Sequence, residues 1–429
     1  MIKKINYDLF NENLFILNLS NGLNVNLVPR DKFHQTYGTL TVRYGSINNE
    51  FIPQGQHAMK KYPNGIAHFL EHKLFEKKDY DAFDQFALYG ADSNAFTSFT
   101  RTSYIFSTAD NVDKCTQTLL DFVQDPFFSE KTVSKEKGII AQEIKMYEDD
   151  PSWQLLFGLI SNLYPKTVLT TDIAGSVESI QQITPEMLYE CYHEFYQPSN
   201  MSLMLVGNFD LEKIIQVIKR QEDKISTQKH PIQQNNLFDN LLPVIPFGQK
   251  QMNVQRPILG IGIRKKTPIK QSERLIYRAA LELTMELLFG ESAKDYQHLY
   301  DEGIIDGSFN YEIQIEDGFN FVTLNAETSH VEKTKDALLN ILMNADTKLV
   351  QQKDVFEYMK HEFIGRYIKS MNYNEGIADR FDKWLYGEKT IFDVPQLIAN
   401  LTITDLVQLA NDLFKKEEIT EFVINPKES

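Results

Sequence analysis

The chain has 429 residues, enough for two domains of ordinary size. Hydrophobic residues at 42% and charged residues at 24% describe a folded globular protein, not a disordered or fibrous one. A formal charge of −15 excludes an extended surface for nucleic acid, and no apolar run of roughly 18 residues is present to span a bilayer. The acidic excess suits basic or neutral peptides as cargo, and it also favours solubility. The first residues, Met1-Ile2-Lys3-Lys4-Ile5-Asn6-Tyr7-Asp8, lead into no apolar core, so no secretory signal is expected. Two cysteines, Cys115 and Cys191, offer no thiolate motif and fit a reducing cytoplasm.

In chain order, Leu14–Leu19 and Leu23–Val28 flank Asn21-Gly22, which predicts a hairpin with a tight primed turn. A third strand is expected at Tyr37–Tyr44. A helix follows from near Asn64 through Phe75, and another at Tyr80–Tyr89. Ser93–Phe99 and Thr102–Thr108 alternate and are rich in β-branched residues, as strands are. Helical periodicity returns at Val112–Phe122, Ser134–Tyr147 and Pro185–Phe195, before a strand at Met201–Gly207. Runs of two or three strands separated by helices predict an α+β fold with mixed or antiparallel sheets and helices packed on one face.

From about residue 222 to 247 the periodicity lapses. Pro231, Pro243 and Pro246 gather there with Gln233, Gln234, Asn235 and Asn236, which reads as a linker. The expected division is therefore a first domain over 1–222, a linker over 223–247 and a second domain over 248–429. The second half echoes the first. Ile183-Thr184-Pro185-Glu186-Met187-Leu188 resembles Leu401-Thr402-Ile403-Thr404-Asp405-Leu406, 218 positions later, and Lys135-Glu136 falls on Lys353-Asp354 at the same distance. A period that long is a duplicated domain and not a solenoid.

The first of those helices carries the chemistry. His68 and His72 are four residues apart, about 40° apart around a helix axis and one turn above each other. Two imidazoles so stacked can grip one tetrahedral metal ion. Glu71 lies about 60° to the other side of His68, within reach of a metal-held water. This His-x-x-Glu-His order is the inverse of the commoner His-Glu-x-x-His zinc-peptidase motif. The neighbours Ile66, Ala67, Phe69, Leu70, Leu74 and Phe75 are apolar, so the helix is expected to be buried. Two buried histidines beside a buried acid are costly unless a cation joins them.

A third ligand is needed, with the fourth position left for water. On the helix of Ser134–Tyr147, Glu136 and Glu143 share an apolar face with Ile139, Ile140 and Tyr147, an odd place for two carboxylates. Helical geometry favours Glu143 as the ligand and Glu136 as the acceptor behind a ligating imidazole, without deciding between them.

His68-Phe69-Leu70-Glu71-His72, followed by two glutamates seven apart, resembles the M16 metallopeptidases, the family of insulin-degrading enzyme, pitrilysin and mitochondrial processing peptidase. Arg43-Tyr44-Gly45-Ser46 before the motif and Asn94-Ala95-Phe96-Thr97-Ser98 after it extend the resemblance, in particular to insulinase-like proteins of low-GC Gram-positive bacteria. In that family the second glutamate binds zinc, which gives that role to Glu143. The resemblance implies one Zn2+ per chain and a zinc-dependent endopeptidase with Glu71 activating water. It also implies two related domains that form half of a clamshell, closing with a second unit around a peptide chamber. Asn94, Ala95, Phe96 and Thr97 would then be the edge onto which a peptide substrate adds as a further strand.

One departure stands out. The family's second domain carries Leu-Arg-Glu-x-Gly-Leu-Ala-Tyr, whose Arg and Tyr hold substrate and stabilise the tetrahedral intermediate. Here the stretch is Leu299-Tyr300-Asp301-Glu302-Gly303-Ile304-Ile305-Asp306. The second half also lacks the metal motif, offering Glu282, Met285 and Glu286 near Phe289. The resemblance thus leads to a heterodimer with a paralogous chain that supplies Arg and Tyr, with a homodimer as second choice. A non-catalytic peptide-binding or scaffold subunit is the alternative, and the intact His-x-x-Glu-His weighs against it.

Overall fold

The computed structural model describes residues 2–222, 230–234, 238 and 241–427. The first half of the chain opens with β1 (Ile2–Tyr7), β2 (Glu12–Asn18), β3 (Asn24–Pro29), β4 (Thr36–Val42), β5 (Glu50–Phe51) and β6 (Lys60–Lys61). Next come α1 (Ile66–Phe75), α2 (Ala82–Leu88), β7 (Ala91–Thr97), β8 (Thr102–Thr108), α3 (Val112–Gln124), α4 (Glu130–Asp149) and α5 (Pro151–Leu163). It ends with α6 (Val177–Gln181), α7 (Pro185–Phe195), β9 (Met201–Gly207) and α8 (Leu211–Glu222). The second half runs β10 (Phe247–Met252), β11 (Ile258–Arg264), α9 (Gln271–Phe289), α10 (Lys294–Asp301), β12 (Asn310–Ile315) and β13 (Asn320–Glu327). There follow α11 (Val331–Met343), α12 (Ala345–Gln351), α13 (Lys353–Ser370), α14 (Asn374–Ala378), α15 (Lys383–Tyr386), α16 (Val394–Ala399), α17 (Ile403–Leu413) and β14 (Ile419–Pro426).

The chain is α+β, with two sheets of the same plan. The seven-stranded sheet has the order β1-β2-β3-β9-β4-β8-β7, and the five-stranded sheet the order β10-β14-β11-β13-β12. In both, one parallel pair (β3 with β9, β10 with β14) is followed by three antiparallel ones. Thr102 opens β8 and Asn320 opens β13, 218 positions apart, and Met201 and Ile419 open β9 and β14 at the same distance. The faint echo in the sequence is therefore a duplicated topology. The β1–β2 pair extends the first sheet and, among the described residues, has no counterpart in the second.

Two compact units follow, but they do not keep to contiguous ranges. One is Met1–Lys145, Thr171–Asn236 and Met371–Phe381; the other is Met146–Thr170, Leu237–Ser370 and Asp382–Ser429. The expected division at 222 and 247 thus misses two exchanged segments. α5, drawn from the first half of the sequence, packs in the second unit against β10, β11 and β14. α14, from the second half, packs in the first unit against β4 and β9. The exchanged pieces occupy matching places in the duplication. Of the expected linker, residues 223–229, 235–237 and 239–240, Asn235 and Asn236 among them, lie outside the described residues.

The main helical layer of each unit covers one sheet face, as the patterning predicts. Leu40, Phe106 and Leu205 meet Phe69, Leu70 and Leu119 in the first core; Leu259, Ile261 and Ile263 meet Leu283, Leu287 and Leu288 in the second. The exchanged helices add a partial cover on the opposite faces. Side chains alternate along β11, so Gly260 and Gly262 turn away from the second core. A Cβ on Gly260 would lie 2.8 Å from Leu159, and one on Gly262 would lie 3.1 Å from Leu163, so these glycines are the seat of α5.

Locally, most elements expected in the first half are found, with β7 lying two residues earlier than expected, while β1, α6 and α8 are not anticipated; two departures are instructive. The hairpin loop is not a primed turn: Gly22 N donates to Leu19 O, Leu23 N to Asn21 Oδ1, and of the two central candidates Gly22 alone has positive φ, at 98°. That is the longer loop ending in a left-handed residue, and the glycine of Asn21-Gly22 serves it equally well. The expectations also omit α5, although Asp150 caps it by accepting from Ser152 N and Trp153 N and Pro151 sits at its first turn.

Candidate metal centre

The site is built on α1, β7 and the part of α4 up to Lys145, all in the first unit. α1 begins abruptly at Gly65, whose φ of +87 suits glycine and few other residues. A Cβ there would lie 2.2 Å from Ala174 O, and Ser179 Oγ donates to Asn64 O at 2.8 Å. The loop before α6 therefore fixes where α1 starts, and with it the height of both histidines. From Ile66 to Leu74 the helix is buried on nearly every side, with His68 9% and Glu71 7% exposed.

α4 supplies two carboxylates. Val133, Glu136, Ile140 and Ile144 form its buried face, while Ile139, expected on the same face, is 46% exposed. His68 Nε2 lies 3.5 Å from Glu143 Oε1, and His72 Nε2 lies 3.6 Å from Glu143 Oε2. One ligand atom from each of His68, His72 and Glu143 falls within 4.8 Å of the others. Zinc–nitrogen bonds of about 2.0–2.1 Å in a tetrahedron set ligand atoms about 3.4 Å apart, so the donor set fits one such ion. Two nitrogens and one carboxylate oxygen, with no thiolate, is also the chemistry of an open site.

His72 Nδ1 donates to Glu136 Oε1 at 3.0 Å, which presents Nε2 as the lone-pair atom. His68 Nδ1 is buried without a partner among the described residues. Glu136 is held below the ordinary carboxylate range: burial opposes its charge, but the His72 hydrogen bond and charge outweigh it. Burial also opposes charge on His72, yet the bond to Glu136 and the carboxylates of Glu71, Glu136 and Glu143 raise its pKa. Burial pushes the Glu71 carboxyl up, with His68 and the Thr97 hydroxyl working against the rise.

β7 lies at the end of the seven-stranded sheet, pairing with β8 alone. Asn94 and Phe96 point outward, Phe96 beneath the Arg101 guanidinium at 5.9 Å. Ala95 and Thr97 point inward, and Thr97 Oγ1 donates to Glu71 Oε2 at 2.6 Å. The resemblance assigns Thr97 a main-chain role only; strand alternation turns its hydroxyl away from Phe96 and toward Glu71. The five side chains expected around a metal, His68, Glu71, His72, Glu136 and Glu143, are thus brought together, and Thr97, expected on the substrate edge, joins them through Glu71.

Among its described residues the second unit holds no counterpart. Among the described residues the cluster on α1 and α4 is the group suited to a metal. Tyr300 is half exposed on α10 and stacks on Tyr296. Asp306 accepts from Ser308 and from Arg256 Nη1 at 3.0 Å, and those contacts hold its carboxyl below the usual range. No helix among the described residues is long and apolar enough to cross a membrane.

An inverted His-x-x-Glu-His helix on a duplicated α+β chain defines a class of metallopeptidase-like proteins, and comparison with known proteins agrees. Residues 51–176 match the family model described as insulinase (peptidase family M16), and residues 182–362 match the M16 inactive domain. A Bacillus subtilis protein called an uncharacterized zinc protease, YmfH, is 41% identical over 429 residues, covering all of both chains. Another B. subtilis protein, the zinc protease AlbF by name, is 29% identical over 208 residues, 48% of each. A solved structure from Alicyclobacillus acidocaldarius described as M16-like has a TM-score of 0.90 at 31% identity, covering 97% of this chain and 99% of that one. A Helicobacter pylori protease shares the fold, with a TM-score of 0.80 at 20% identity over 96% of this chain and 99% of that one. The chain belongs to peptidase family M16.

Proposed function

We propose that this chain is the zinc-dependent endopeptidase subunit of a two-chain assembly. In this reading His68, His72 and Glu143 hold one Zn2+ per chain. The observation that carries it is the convergence of those three ligating atoms, with Glu71 buried beside them and Glu136 behind His72. The zinc protease names of the relatives support the choice of metal.

Zinc, when bound, supplies Lewis acidity that polarises the scissile carbonyl and acidifies the attacking water toward neutral pH. Glu71 takes the proton from that water and passes it to the leaving nitrogen. Glu136 fixes the ring and tautomer of His72. The outer edge of β7, over Asn94, Ala95, Phe96 and Thr97, receives an extended peptide by main-chain hydrogen bonds, which tolerates many sequences.

A partner completes the site in this reading. Tyr300 and Asp306 stand where the family places Arg and Tyr, and Asp306 is an anion engaged by Ser308 and Arg256, with no proton to offer an oxyanion. A paralogous chain supplies those two groups in a heterodimer. The buried free thiols Cys115 and Cys191 suit a reducing compartment such as the cytoplasm. Zinc content and peptide cleavage, measured with and without the paralogue, test the proposal. Metal-free protein removes the zinc centre, and full activity that no paralogue improves removes the partner.

The second reading, a non-catalytic peptide-binding subunit, draws on the same two residues, Tyr300 and Asp306. Zinc-loaded protein that binds peptides beside its paralogue without cleaving them would favour it.

A further inference from the structure

We infer that Thr97 is a positioning residue for the general base, an assignment that rests on the peptidase reading of Glu71. A carboxylate on a long side chain turns easily about its last bond, and a base must offer one chosen oxygen to a water a few ångströms away. What fixes Glu71 is the hydroxyl of Thr97, which donates to Oε2 at 2.6 Å and leaves Oε1 to meet the water.

The direction of that hydrogen bond is set by the residue across the strand pair. Thr97 and Thr102 are register partners in β7 and β8, and their hydroxyl oxygens lie 3.2 Å apart. A threonine hydroxyl has a single proton. Thr102, fully buried, spends its proton on the main-chain oxygen of Tyr44 at 2.8 Å. Thr97 is left to choose between the Thr102 oxygen at 3.2 Å and a carboxylate at 2.6 Å. The charged, shorter contact wins. The two hydroxyls therefore donate away from each other, Thr102 to the main chain just beyond β4 and Thr97 to the base. Thr97 keeps its proton throughout, so it steers Glu71 without exchanging anything with the substrate.

Placement strengthens the assignment. The outer edge of β7 is the edge proposed to receive the peptide, and Thr97 is the last residue of that strand. The backbone that lines up the substrate and the hydroxyl that aims the base belong to one residue, so the spacing between substrate and base is held by a single rigid strand. Phe96, its neighbour on the opposite face, can shape substrate binding but cannot reach Glu71.

The test compares Thr97→Val, which keeps the shape and removes the hydroxyl, with Thr97→Ser, which restores it. In the zinc-loaded protein with its paralogue, Thr97→Val should lower kcat by about ten- to a hundredfold. KM should stay within about twofold and zinc content should be unchanged, because the hydroxyl serves the base and not the ground-state complex. Thr97→Ser should recover to within about threefold of the parent. A second measurement needs no activity. In metal-free protein, the fall in melting temperature caused by Thr97→Val should shrink by at least about half when Glu71 is already alanine, since the two side chains lose one shared contact. Unchanged kcat in Thr97→Val, a Thr97→Ser variant no better than Thr97→Val, or additive melting shifts would each overturn the assignment. If the parent protein cleaves nothing with or without the paralogue, the peptidase reading fails; the melting cycle still decides whether Thr97 and Glu71 are coupled.

Discussion

Two helices follow the same strand in the two copies of the sheet, α1 after β4 and α9 after β11, and the carboxylates around them, most only partly buried, are met in opposite ways. On α9, Glu282 accepts from Arg278 Nε at 2.9 Å and from Tyr367, and Glu286 meets Arg366 at 3.2 Å and Tyr311 at 3.0 Å. Guanidinium groups and phenols of the second unit already neutralise both acids. Around α1 the acids Glu136 and Glu143 face imidazoles instead, and Lys73, the one buried amine on that helix, turns away to Glu76. Imidazoles can be neutral and offer lone pairs, which guanidinium cannot. A duplicated scaffold thus carries a cluster suited to a metal or a self-satisfied ion network according to which nitrogen side chains face its carboxylates.

The largest expected effect tests whether α1 is chemically distinct. Glu71→Gln should cut peptide hydrolysis by about a thousandfold while zinc stays bound, read by metal analysis beside a cleavage assay. His68→Ala or His72→Ala should instead release the metal. Normal cleavage by Glu71→Gln would end the general-base role.

A paired substitution sharpens the contrast between the helices. Glu136→Ala should weaken zinc retention about ten- to a hundredfold in a chelator competition, because the acceptor behind His72 is gone. Glu286→Ala, at the corresponding depth of the second unit, should leave the zinc content at that of the parent protein. Equal effects would erase the distinction between the two sites.

The start of α1 is expected to be intolerant where that of α9 is not. Gly65→Ala combines positive φ with a Cβ 2.2 Å from Ala174 O, and should destabilise the protein by about 1–3 kcal/mol in chemical denaturation. Lys270, before α9, has an ordinary φ of −62. Lys270→Ala should therefore change stability by less than about 0.5 kcal/mol.

The smallest effect is a pH dependence. Burial pulls Lys77, just past α1, down to about 8, with Asp125 and Asp81 resisting; at the matching position of the second unit stands Asp295, paired with Lys348. The unfolded chain keeps the Lys77 proton up to the ordinary lysine range. Between about 8 and that range it binds more protons than the folded state, so this group makes stability rise with pH. Urea midpoints at pH about 7.5 and about 9.5 should move accordingly in the parent, and less so in Lys77→Met.

Several of these contrasts were readable before any coordinates. His68, Glu71 and His72 are separated by helical spacings, and Glu136 and Glu143 by two turns, so geometry that repeats every few residues fixes which of them share a face. The bounds of β8, α7 and β9 match their sequence patterns for the same reason. α5 and α14 show the limit. Their apolar faces say that each is buried, but an apolar face fits either of two sheets built to one plan, and the exchange between units was invisible.

The sequence by itself determined which histidines and glutamates share a helix face, the strand and helix periods, and the duplication at 218 positions, because each is carried by local spacing or by residue type. Only the tertiary structure decided that Glu136 meets His72 while Glu143 meets both histidines, and that the Thr97 hydroxyl is spent on Glu71. It alone assigned α5 to the second unit's sheet. Those pairings join residues 26 to 101 positions apart, from Glu71 to Thr97 and from Leu159 to Gly260. Distances of that kind are set by how whole elements pack, and local patterning is silent about them.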